Sequence, residues 1–345
     1  MAYTTINKSS SFMNPKLYTG NGGTNAQTGV GFQPDWIWFK RRDGSDNHIL
    51  FDVARGVTKG IYSDLSNAED TLANSLSSFN SDGFTLGADT GSGGAINGSG
   101  ESCVAWNWKA GGAGSNNTEG SIYSTVSVNQ TAGFSIVKWT GTNANATVGH
   151  GLSSEPTFVF YKVLGEAGSW AVYNKDLGAN KYLSLDATTL EATDTGMFQN
   201  TNPTGGKLYV GANLANKSSP MIAYCFTPKT GYSKFGSYTG NGNNDGPFVY
   251  TGFKPSFIIG KRTDAAGPWW MLDNKRNPFN VVNRYLLAND NAAEATDVEY
   301  NTDILSNGFK ARYNNANFNA SGGTYIYMAF GQTLVGTNNV PNNAF

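Results

Sequence analysis

Short runs in which apolar and polar positions alternate recur along this chain. A clear example is Ser102-Cys-Val-Ala-Trp-Asn-Trp108, and Gly, Asn, Asp and Pro separate such runs from one another. Alternation with a period of two, bounded by turn-forming residues, predicts half-buried strands. No long stretch has the 3.6-residue period of an amphipathic helix or the heptad of a coiled coil. The pattern therefore predicts an all-β protein.

The same succession of strands and turns occurs three times. Tyr18-Thr-Gly-Asn-Gly22 recurs as Tyr238-Thr-Gly-Asn-Gly242, with a weaker copy at Trp139-Thr-Gly-Thr-Asn143. Each copy continues through a Gly-apolar step and a proline into a short strand that ends in lysine: Asp35–Lys40, Thr157–Lys162 and Ser256–Lys261. Internal repetition at a fixed period indicates a repeated structural unit.

The repeat has the size of a domain, since its period of roughly 100 to 120 residues far exceeds that of solenoid repeats. We therefore expect three tandem antiparallel β-sandwich domains. Their predicted bounds are an N-terminal arm at 1–14, repeat 1 at 15–112, repeat 2 at 113–229, repeat 3 at 230–333 and a C-terminal tail at 334–345.

The last strand of each repeat predicts which side chains face the core. One alternating set is large and apolar in every copy: Val104, Trp106 and Trp108; Ile222, Tyr224 and Phe226; Ile326, Met328 and Phe330. The other set is smaller or more variable and includes Cys103 and Cys225. Because successive side chains of a strand point to opposite faces, we expect the first set to face the core. The two cysteines are then small packing residues rather than redox groups.

The charge composition argues against nucleic-acid binding. The formal net charge is −1, and charged residues make up only 14% of the chain, so no strong field would attract a polyanion. We interpret the one cationic run, Lys40-Arg41-Arg42, as a solvated strand end. The start of the chain lacks the apolar segment of a signal peptide, and no run is long enough to cross a bilayer. We expect a soluble protein that is not exported by the usual secretory signal.

Two sets of repeated charges are the best candidates for chemistry. Glu69, Glu191 and Glu294 occur once per repeat, which favours a structural role, such as accepting hydrogen bonds from the backbone of a turn, over catalysis. Ligand contact by these glutamates stays open.

Asp52 with Arg55 recurs as Asp273 with Arg276, whereas repeat 2 has Asn174 and Leu177. Replacement of both residues together is what an ion pair predicts, because a lone buried charge is costly. A ligand-binding arginine remains the alternative.

Other reactive groups give no site. Two cysteines, together with His48 and His150 in different repeats, do not have the spacing of metal ligands. The Gly-rich segment 91–100 lacks the Lys-Ser/Thr ending of a phosphate-binding loop. Trp170, Trp269 and Trp270 could stack on sugars, but their predicted strands favour core positions. We expect no catalytic residue, no cofactor and no metal, and the sequence does not name a ligand-binding site.

The longest motif carries a resemblance to a known family. Gly231-Tyr-Ser-Lys-Phe-Gly-Ser-Tyr-Thr-Gly-Asn-Gly-Asn-Asn-Asp-Gly-Pro-Phe-Val-Tyr-Thr-Gly-Phe253, together with the Gly-Phe-x-Pro steps and Ser-Asp/Asn-Gly-Phe, resembles virion proteins of tailed bacteriophages that are common in marine phages. The resemblance covers essentially the whole chain. Repeat 2 departs from the pattern at Val163 and Leu164, which puts in doubt whether it shares any binding surface.

This resemblance implies concanavalin-like or jelly-roll sandwiches and a location in the virion, after assembly in the host cytoplasm. The implied partners are other virion proteins and further copies of the chain in a homo-oligomer, for which a trimer is one option. A glycan of the host surface is a further candidate partner, while nucleic acid and membrane are not expected.

Three functions follow as hypotheses. The first is a tail- or fibre-associated adhesin whose weak sites for host glycans are multiplied by copy number. The alternative is a purely structural subunit, such as a capsid decoration protein or a tail or baseplate ring protein. A polysaccharide depolymerase ranks last, because no unrepeated pair of carboxylates stands out.

Overall fold

A computed structural model describes residues 4–89 and 96–335. These residues form 28 strands, one four-residue helix α1 (Ala316–Asn319) and two 3-10 turns, Ser9–Ser11 and Val298–Tyr300. The all-β prediction is confirmed. Residues 91–95 of the Gly-rich segment, 1–3 of the predicted arm and 336–345 of the predicted tail lie outside the described residues.

The strands divide among the three repeats. Repeat 1 contains β1 Met13–Thr19, β2 Asn25–Thr28, β3 Trp36–Arg41, β4 Ile49–Asp52, β5 Lys59–Tyr62, β6 Asp70–Thr71, β7 Leu76–Asn80, β8 Gly83–Leu86 and β9 Ser102–Trp108. Repeat 2 contains β10 Ser115–Asn117, β11 Ser124–Asn129, β12 Phe134–Thr140, β13 Ala146–Gly149, β14 Phe158–Val163, β15 Ala171–Asn174, β16 Lys181–Tyr182, β17 Ala192–Thr193, β18 Lys207–Val210 and β19 Pro220–Phe226. Repeat 3 contains β20 Ser233–Thr239, β21 Phe248–Tyr250, β22 Lys254–Arg262, β23 Trp269–Asp273, β24 Arg284–Leu287, β25 Ala295–Thr296, β26 Thr302–Leu305, β27 Gly308–Ala311 and β28 Thr324–Gln332.

Each repeat builds one large antiparallel sheet and a smaller sheet beside it. The large sheets have the orders β1-β9-β3-β4-β5-β6, β10-β11-β12-β19-β14-β15 and β20-β28-β22-β23-β24-β25. The smaller sheets are β2-β8-β7, β13-β18 and β21-β27-β26, and β16 pairs with β17. In every large sheet the last strand of the repeat pairs with both the first long strand and the strand that follows the proline. The three units therefore share a core of four paired strands, whereas repeat 2 adds β10 and β11 at the edge of its large sheet, pairs β16 and β17 separately and has a smaller sheet of only two strands.

The large apolar set of the last strands lies in one central cluster that all three repeats share. Aromatic rings cross the repeat boundaries there: Trp36 stacks on Tyr224 at 4.5 Å between ring centroids, and Trp108 meets Phe257 edge-on at 5.6 Å. The alternate set is buried as well, but in three separate clusters, each between the large and the small sheet of its own repeat. Each large sheet is therefore covered on both faces, which explains the aromatic and branched residues on both sides of these strands.

The repeats close into a ring. The backbone N–H of Glu69 donates to Leu164 O in repeat 2 at 2.8 Å, and that of Glu191 donates to Thr263 O in repeat 3 at 2.9 Å. The N–H of Glu294 completes the cycle by donating to Arg42 O in repeat 1 at 2.7 Å. The same bond made three times, with the third returning to the first repeat, gives the chain approximate threefold symmetry about the central cluster.

The N-terminal segment packs against repeat 3. Ile6 is buried in the central cluster, and Phe12 meets Tyr232 edge-on at 6.0 Å. The N–H of Ser9 donates to Gln332 Oε1 at 2.7 Å. Met13 and Asn14, which the sequence assigned to the arm, are already the first residues of β1. Residues 4–12 therefore join the two ends of the ring instead of projecting from it.

Candidate ligand-binding surface

The repeated glutamates lie at the boundaries between repeats. Glu294 accepts a bidentate pair of hydrogen bonds from Arg42 of repeat 1, at 2.7 and 3.0 Å, and pairs with Arg276 at 3.1 Å. Glu69 pairs with Arg55 at 3.3 Å, and Glu191 pairs with Lys181. The three carboxylates thus form ion pairs with basic side chains. The prediction that they accept hydrogen bonds from the backbone of a turn is wrong, but the ion pairs give these glutamates a structural role.

The Asp–Arg pairs are fully buried, as paired replacement predicts. Asp52 accepts the N–H groups of Ala54 and Arg55, which fixes the end of β4. Its second oxygen accepts from the Arg55 guanidinium and from the Tyr224 hydroxyl of repeat 2 at 2.6 Å. In the same way Asp273 accepts from Arg276 and from the Trp106 indole of repeat 1 at 3.0 Å. These pairs bridge neighbouring repeats, which the sequence alone did not indicate.

The lysines that end the repeated strands are buried, so the interpretation of Lys40 as part of a solvated strand end is wrong. Lys40, Lys162 and Lys261 have no solvent exposure, and each ammonium donates to backbone carbonyl oxygens. Lys162 reaches Ser66 O of repeat 1 at 3.2 Å. Burial lowers the pKa of each of the three amines to about 8. These lysines join strand ends to the neighbouring loops.

The remaining sequence candidates are core residues. Trp170, Trp269 and Trp270 are fully buried. The first two donate their indole N–H to the preceding repeat, to Tyr62 O and Ser184 O, both at 2.8 Å. Cys103 and Cys225 are buried free thiols in separate cores, and burial raises the pKa of Cys103 to about 12. The two cysteines therefore pack as expected.

The two histidines also face the interior. His48 Nδ1 accepts from the Trp38 indole at 2.9 Å, and His150 bonds Thr204 O and the Leu152 N–H. Burial lowers the pKa of both imidazoles. Among residues 4–89 and 96–335, no three His, Cys, Asp or Glu side chains lie close enough to hold a metal. In that same part of the chain no helix is long and apolar enough to span a bilayer.

One surface differs from this pattern, because it exposes aromatic rings. We call it the repeat 3 outer face: the side of the sheet β21-β27-β26 that points away from its core. Pairing across the three strands places Phe248, Lys310 and Asp303 in one row. Tyr250, Gly308 and Leu305 form the next row, while the intervening Val249, Phe309 and Ile304 are buried beneath. Phe248 is 45% exposed and Tyr250 is 52% exposed.

Both aromatic side chains are held in place by their neighbours. A Cβ at position 308 would meet Val249 O at 2.2 Å and the Phe248 ring at 2.8 Å, so the Phe248 ring lies across Gly308. The ammonium of Lys234 donates to Tyr250 O at 2.7 Å and sits 5.1 Å from the centre of the Tyr250 ring. A cation over an aromatic face is attracted to it, even at an exposed site. The two rings are therefore positioned before any ligand arrives.

Charged groups border the rings at one end of the sheet. Asp245 lies 2.8 Å from Lys310 Nζ and 3.3 Å from Arg312 Nη1, and Arg312 Nε reaches Asp303 at 3.4 Å. The hydrogen bond and charge of Lys310 hold the pKa of Asp245 below its usual value, so this carboxylate is ionised at neutral pH. The surface thus combines flat apolar faces with charged donors and acceptors.

The equivalent surface of repeat 1 has the same strand register but small polar side chains. Ala26, Thr85 and Ser78 form one row, and Thr28, Gly83 and Asn80 form the next. In repeat 2 the two positions of the aromatic pair hold Thr147 and Gly149. At these two positions only repeat 3 has rings, although Thr147 pairs with Tyr209, which is partly exposed. The run Phe248-Val-Tyr250 is visible in the sequence, but its alternation alone does not say which side is buried.

Further exposed apolar side chains lie on the segments that flank β26 in the chain or bond to it. Phe279 is 79% exposed, and Val281 and Val298 are 40% and 48% exposed. The Asn280 amide exchanges two hydrogen bonds of 2.9 Å with the backbone of Ile304, which fixes the segment of Phe279 and Val281 beside β26. These residues lie beside the β26 edge of the sheet, opposite the edge formed by β21 with Phe248 and Tyr250.

A known protein family matches most of this chain. The family described as "Domain of unknown function (DUF7483)" matches residues 8–333. The chain belongs to this family. The match runs through all three repeats. No curated protein and no solved structure matches the chain.

Proposed function

We propose that this protein is a bacteriophage virion protein, associated with the tail or a fibre, that binds a host-surface glycan through the repeat 3 outer face. The virion location, with other virion proteins as partners and a homo-oligomeric state, comes from the sequence resemblance. So does the assignment of each repeat as a concanavalin-like or jelly-roll sandwich. The DUF7483 match itself carries no activity.

The exposed pair Phe248 and Tyr250 carries the ligand-binding part of the proposal. The C–H face of a sugar ring is apolar and flat and can stack on such rings, while its hydroxyls donate hydrogen bonds to Asp303 and accept them from Lys310. Both rings are fixed by Gly308 and Lys234, so little conformational entropy is lost on binding. A shallow site of this kind binds weakly, and several copies on one particle multiply the effect.

The rest of the molecule supports a scaffold role. The repeated charges pair with one another at the repeat boundaries, and the central cluster joins all three repeats. A ring built in this way presents one rigid face to a partner. The mechanism is passive binding and involves no covalent step.

An array of bacterial surface glycans tests the proposal. We expect the protein to bind at least one glycan, and Phe248→Ala and Tyr250→Ala each to weaken that binding by about tenfold, which is a loss of about 1.4 kcal/mol. Thr28→Ala, at the position of repeat 1 that corresponds to Tyr250, is the matched control and should bind normally.

Two results would overturn the glycan assignment. One is the absence of binding to any glycan by the unaltered protein. The other is equal binding by the aromatic variants and the control. Circular dichroism of each variant must match that of the unaltered protein, and we expect this because both rings are half exposed.

A further inference from the structure

The first long strand of each repeat pairs with the last strand of that repeat, but its other edge differs among the three repeats. In repeat 2 the outer edge of β12 pairs with β11, and β11 pairs in turn with β10. In repeats 1 and 3 the equivalent strands β1 and β20 are the ends of their sheets. An unpaired edge presents backbone donors and acceptors that another strand can bind. Each of these two edges therefore needs either protection or a partner.

The edge of β1 is protected. Gly20 donates its N–H to Glu101 O at 2.8 Å, so the residues at odd positions of β1 turn their backbone groups away from β9. Pro15 is one of these residues and has no N–H to offer a second strand. The side-chain amide of Asn25 donates to Thr19 O at 3.1 Å and so occupies another outward group. Proline on an edge strand is a usual means of preventing further pairing.

The edge of β20 has no such protection. Gly240 donates its N–H to Gly323 O at 2.8 Å, so the residues at even positions of β20 bond β28. The N–H and C=O groups of Phe235, Ser237 and Thr239 therefore point away from β28. Within residues 4–89 and 96–335 these backbone groups have no hydrogen-bond partner. Ser237 and Thr239 are exposed, and β20 contains no proline. We call this row of outward groups the β20 edge.

Repeat 2 shows what fits beside such a strand. Lys138 of β12 pairs with Ile222 of its last strand, and Ser237 of β20 pairs with the equivalent Ile326. The two strands thus share one register. The place beside β20 corresponds to the place that β11 fills in repeat 2, where it runs antiparallel to β12. An antiparallel strand therefore has a precedent at this position within the same chain.

The side chains of β11 indicate what such a strand carries. Val126 lies opposite Val137 of β12, and both are buried in the core of repeat 2. The equivalent of Val137 in β20 is Gly236, which has no side chain, so a residue opposite it has room for an apolar group. The sequence of β20 contains no valine or isoleucine. A second copy of β20 would therefore not supply the residue type that repeat 2 uses.

We propose that the β20 edge is a docking site for an extended segment of a partner protein, which joins the large sheet of repeat 3 as an antiparallel strand. The backbone of the segment bonds the outward groups of Phe235, Ser237 and Thr239, and an apolar β-branched side chain lies opposite Gly236. In strand addition the main-chain bonds give affinity and the alternate side chains give selectivity. The glycan is proposed to bind elsewhere, on the face of the small sheet.

A fluorescently labelled peptide of residues 123–130, which contains β11, serves as the probe. Fluorescence anisotropy with the whole protein measures its binding, and we expect a single site per chain. Ser237→Pro removes the central outward N–H and should weaken binding by at least about tenfold. This N–H makes no bond to β28, so the variant should fold. Ser237→Ala keeps the N–H, is the matched control and should bind normally.

Two further measurements do not depend on the proline variant. The peptide should slow amide hydrogen exchange at Phe235, Ser237 and Thr239. A peptide with Thr125→Pro lacks the N–H that would bond Ser237 and should bind at least about tenfold more weakly. Phe248→Ala protein should bind the peptide normally, so a failure of the glycan proposal would leave this site intact.

Several results would overturn the inference. They are no binding of the peptide, normal binding by folded Ser237→Pro protein, and protection from exchange only outside β20. A dimer in sedimentation that Ser237→Pro abolishes would assign the edge to a second copy instead. Peptide binding only after removal of residues 336–345 would assign it to the end of the chain itself.

Discussion

The three boundaries between repeats share one backbone arrangement but differ in their buried charges. At the boundary of repeats 1 and 2, Asp52 and Arg55 face the Tyr224 hydroxyl, and at the boundary of repeats 3 and 1, Asp273 and Arg276 face the Trp106 indole. At the third boundary the equivalents are Asn174 and Leu177, and the residue at the position of Tyr224 and Trp106 is Met328, which has no N–H or O–H to donate.

This difference shows a condition for keeping a buried charge. A carboxylate taken out of water needs several donors. Asp52 and Asp273 have an arginine, backbone N–H groups and a donor from the neighbouring repeat. Where the neighbour offers methionine, the chain has the neutral pair Asn174 and Leu177, and Leu177 packs against the central cluster. The charge pair is thus a property of two repeats in contact and not of one.

The largest expected effect comes from breaking one pair. Arg276→Leu leaves Asp273 buried without its main counter-charge and should lower the free energy of unfolding by about 3–5 kcal/mol. The double variant Asp273→Asn with Arg276→Leu copies repeat 2 and should be less destabilised than the sum of the single variants. Urea unfolding of the two singles and the double measures this coupling.

A matched control uses another arginine near Glu294, the glutamate that also pairs with Arg276. Arg284 lies 3.7 Å from Glu294, but its side chain is 47% exposed. Arg284→Leu should therefore cost less than about 1 kcal/mol. Additive single effects at positions 273 and 276 would contradict the view that the two side chains act as one unit.

A second comparison concerns Asp64 of repeat 1 and its repeat 3 equivalent Asn289. Asp64 accepts the N–H of His48 at 3.1 Å, and Asn289 accepts that of Trp269 at 2.7 Å. Burial raises the pKa of Asp64 to about 7. The folded state then holds a proton that the unfolded state has lost, so this residue lowers stability as pH rises from about 4 to about 7.

Asp64→Asn should remove this loss of stability at rising pH. It should keep the hydrogen bond from the His48 N–H, because the amide oxygen still accepts. We expect the variant to be more stable than the unaltered protein by on the order of 2 kcal/mol at pH 8 and equally stable near pH 4. Asn289→Asp should show the opposite difference. Urea unfolding across this pH range measures both, and a difference that does not vary with pH would contradict the assignment.

The smallest expected effect is the loss of one donor. Tyr224→Phe removes the hydroxyl that bonds Asp52 but leaves Arg55 in place, so it should cost about 1 kcal/mol. Tyr123→Phe, at a residue that is 77% exposed, should cost nothing measurable by the same method. An equal effect of the two variants would show that the neighbouring repeat does not help to hold the carboxylate.

The sequence by itself determined the strands, the turns and their threefold repetition, because these depend on local features. Period-two alternation and Gly- or Asn-rich turns act within a few residues, and paired replacement at 52 and 55 indicated an ion pair without any structure.

Only the tertiary structure decided what covers each face. On the last strand of repeat 1, the large apolar side chains such as Trp106 point to the other repeats. The smaller alternate side chains such as Cys103 pack in the core of their own repeat. Lys40 looks like a solvated strand end in the sequence but is buried, with its ammonium bonded to Arg41 O and Gly44 O. Phe248 and Tyr250 are as apolar as core residues, yet they remain exposed. The physical reason is that burial depends on which surfaces meet when the ring closes, and those contacts join residues more than 100 positions apart.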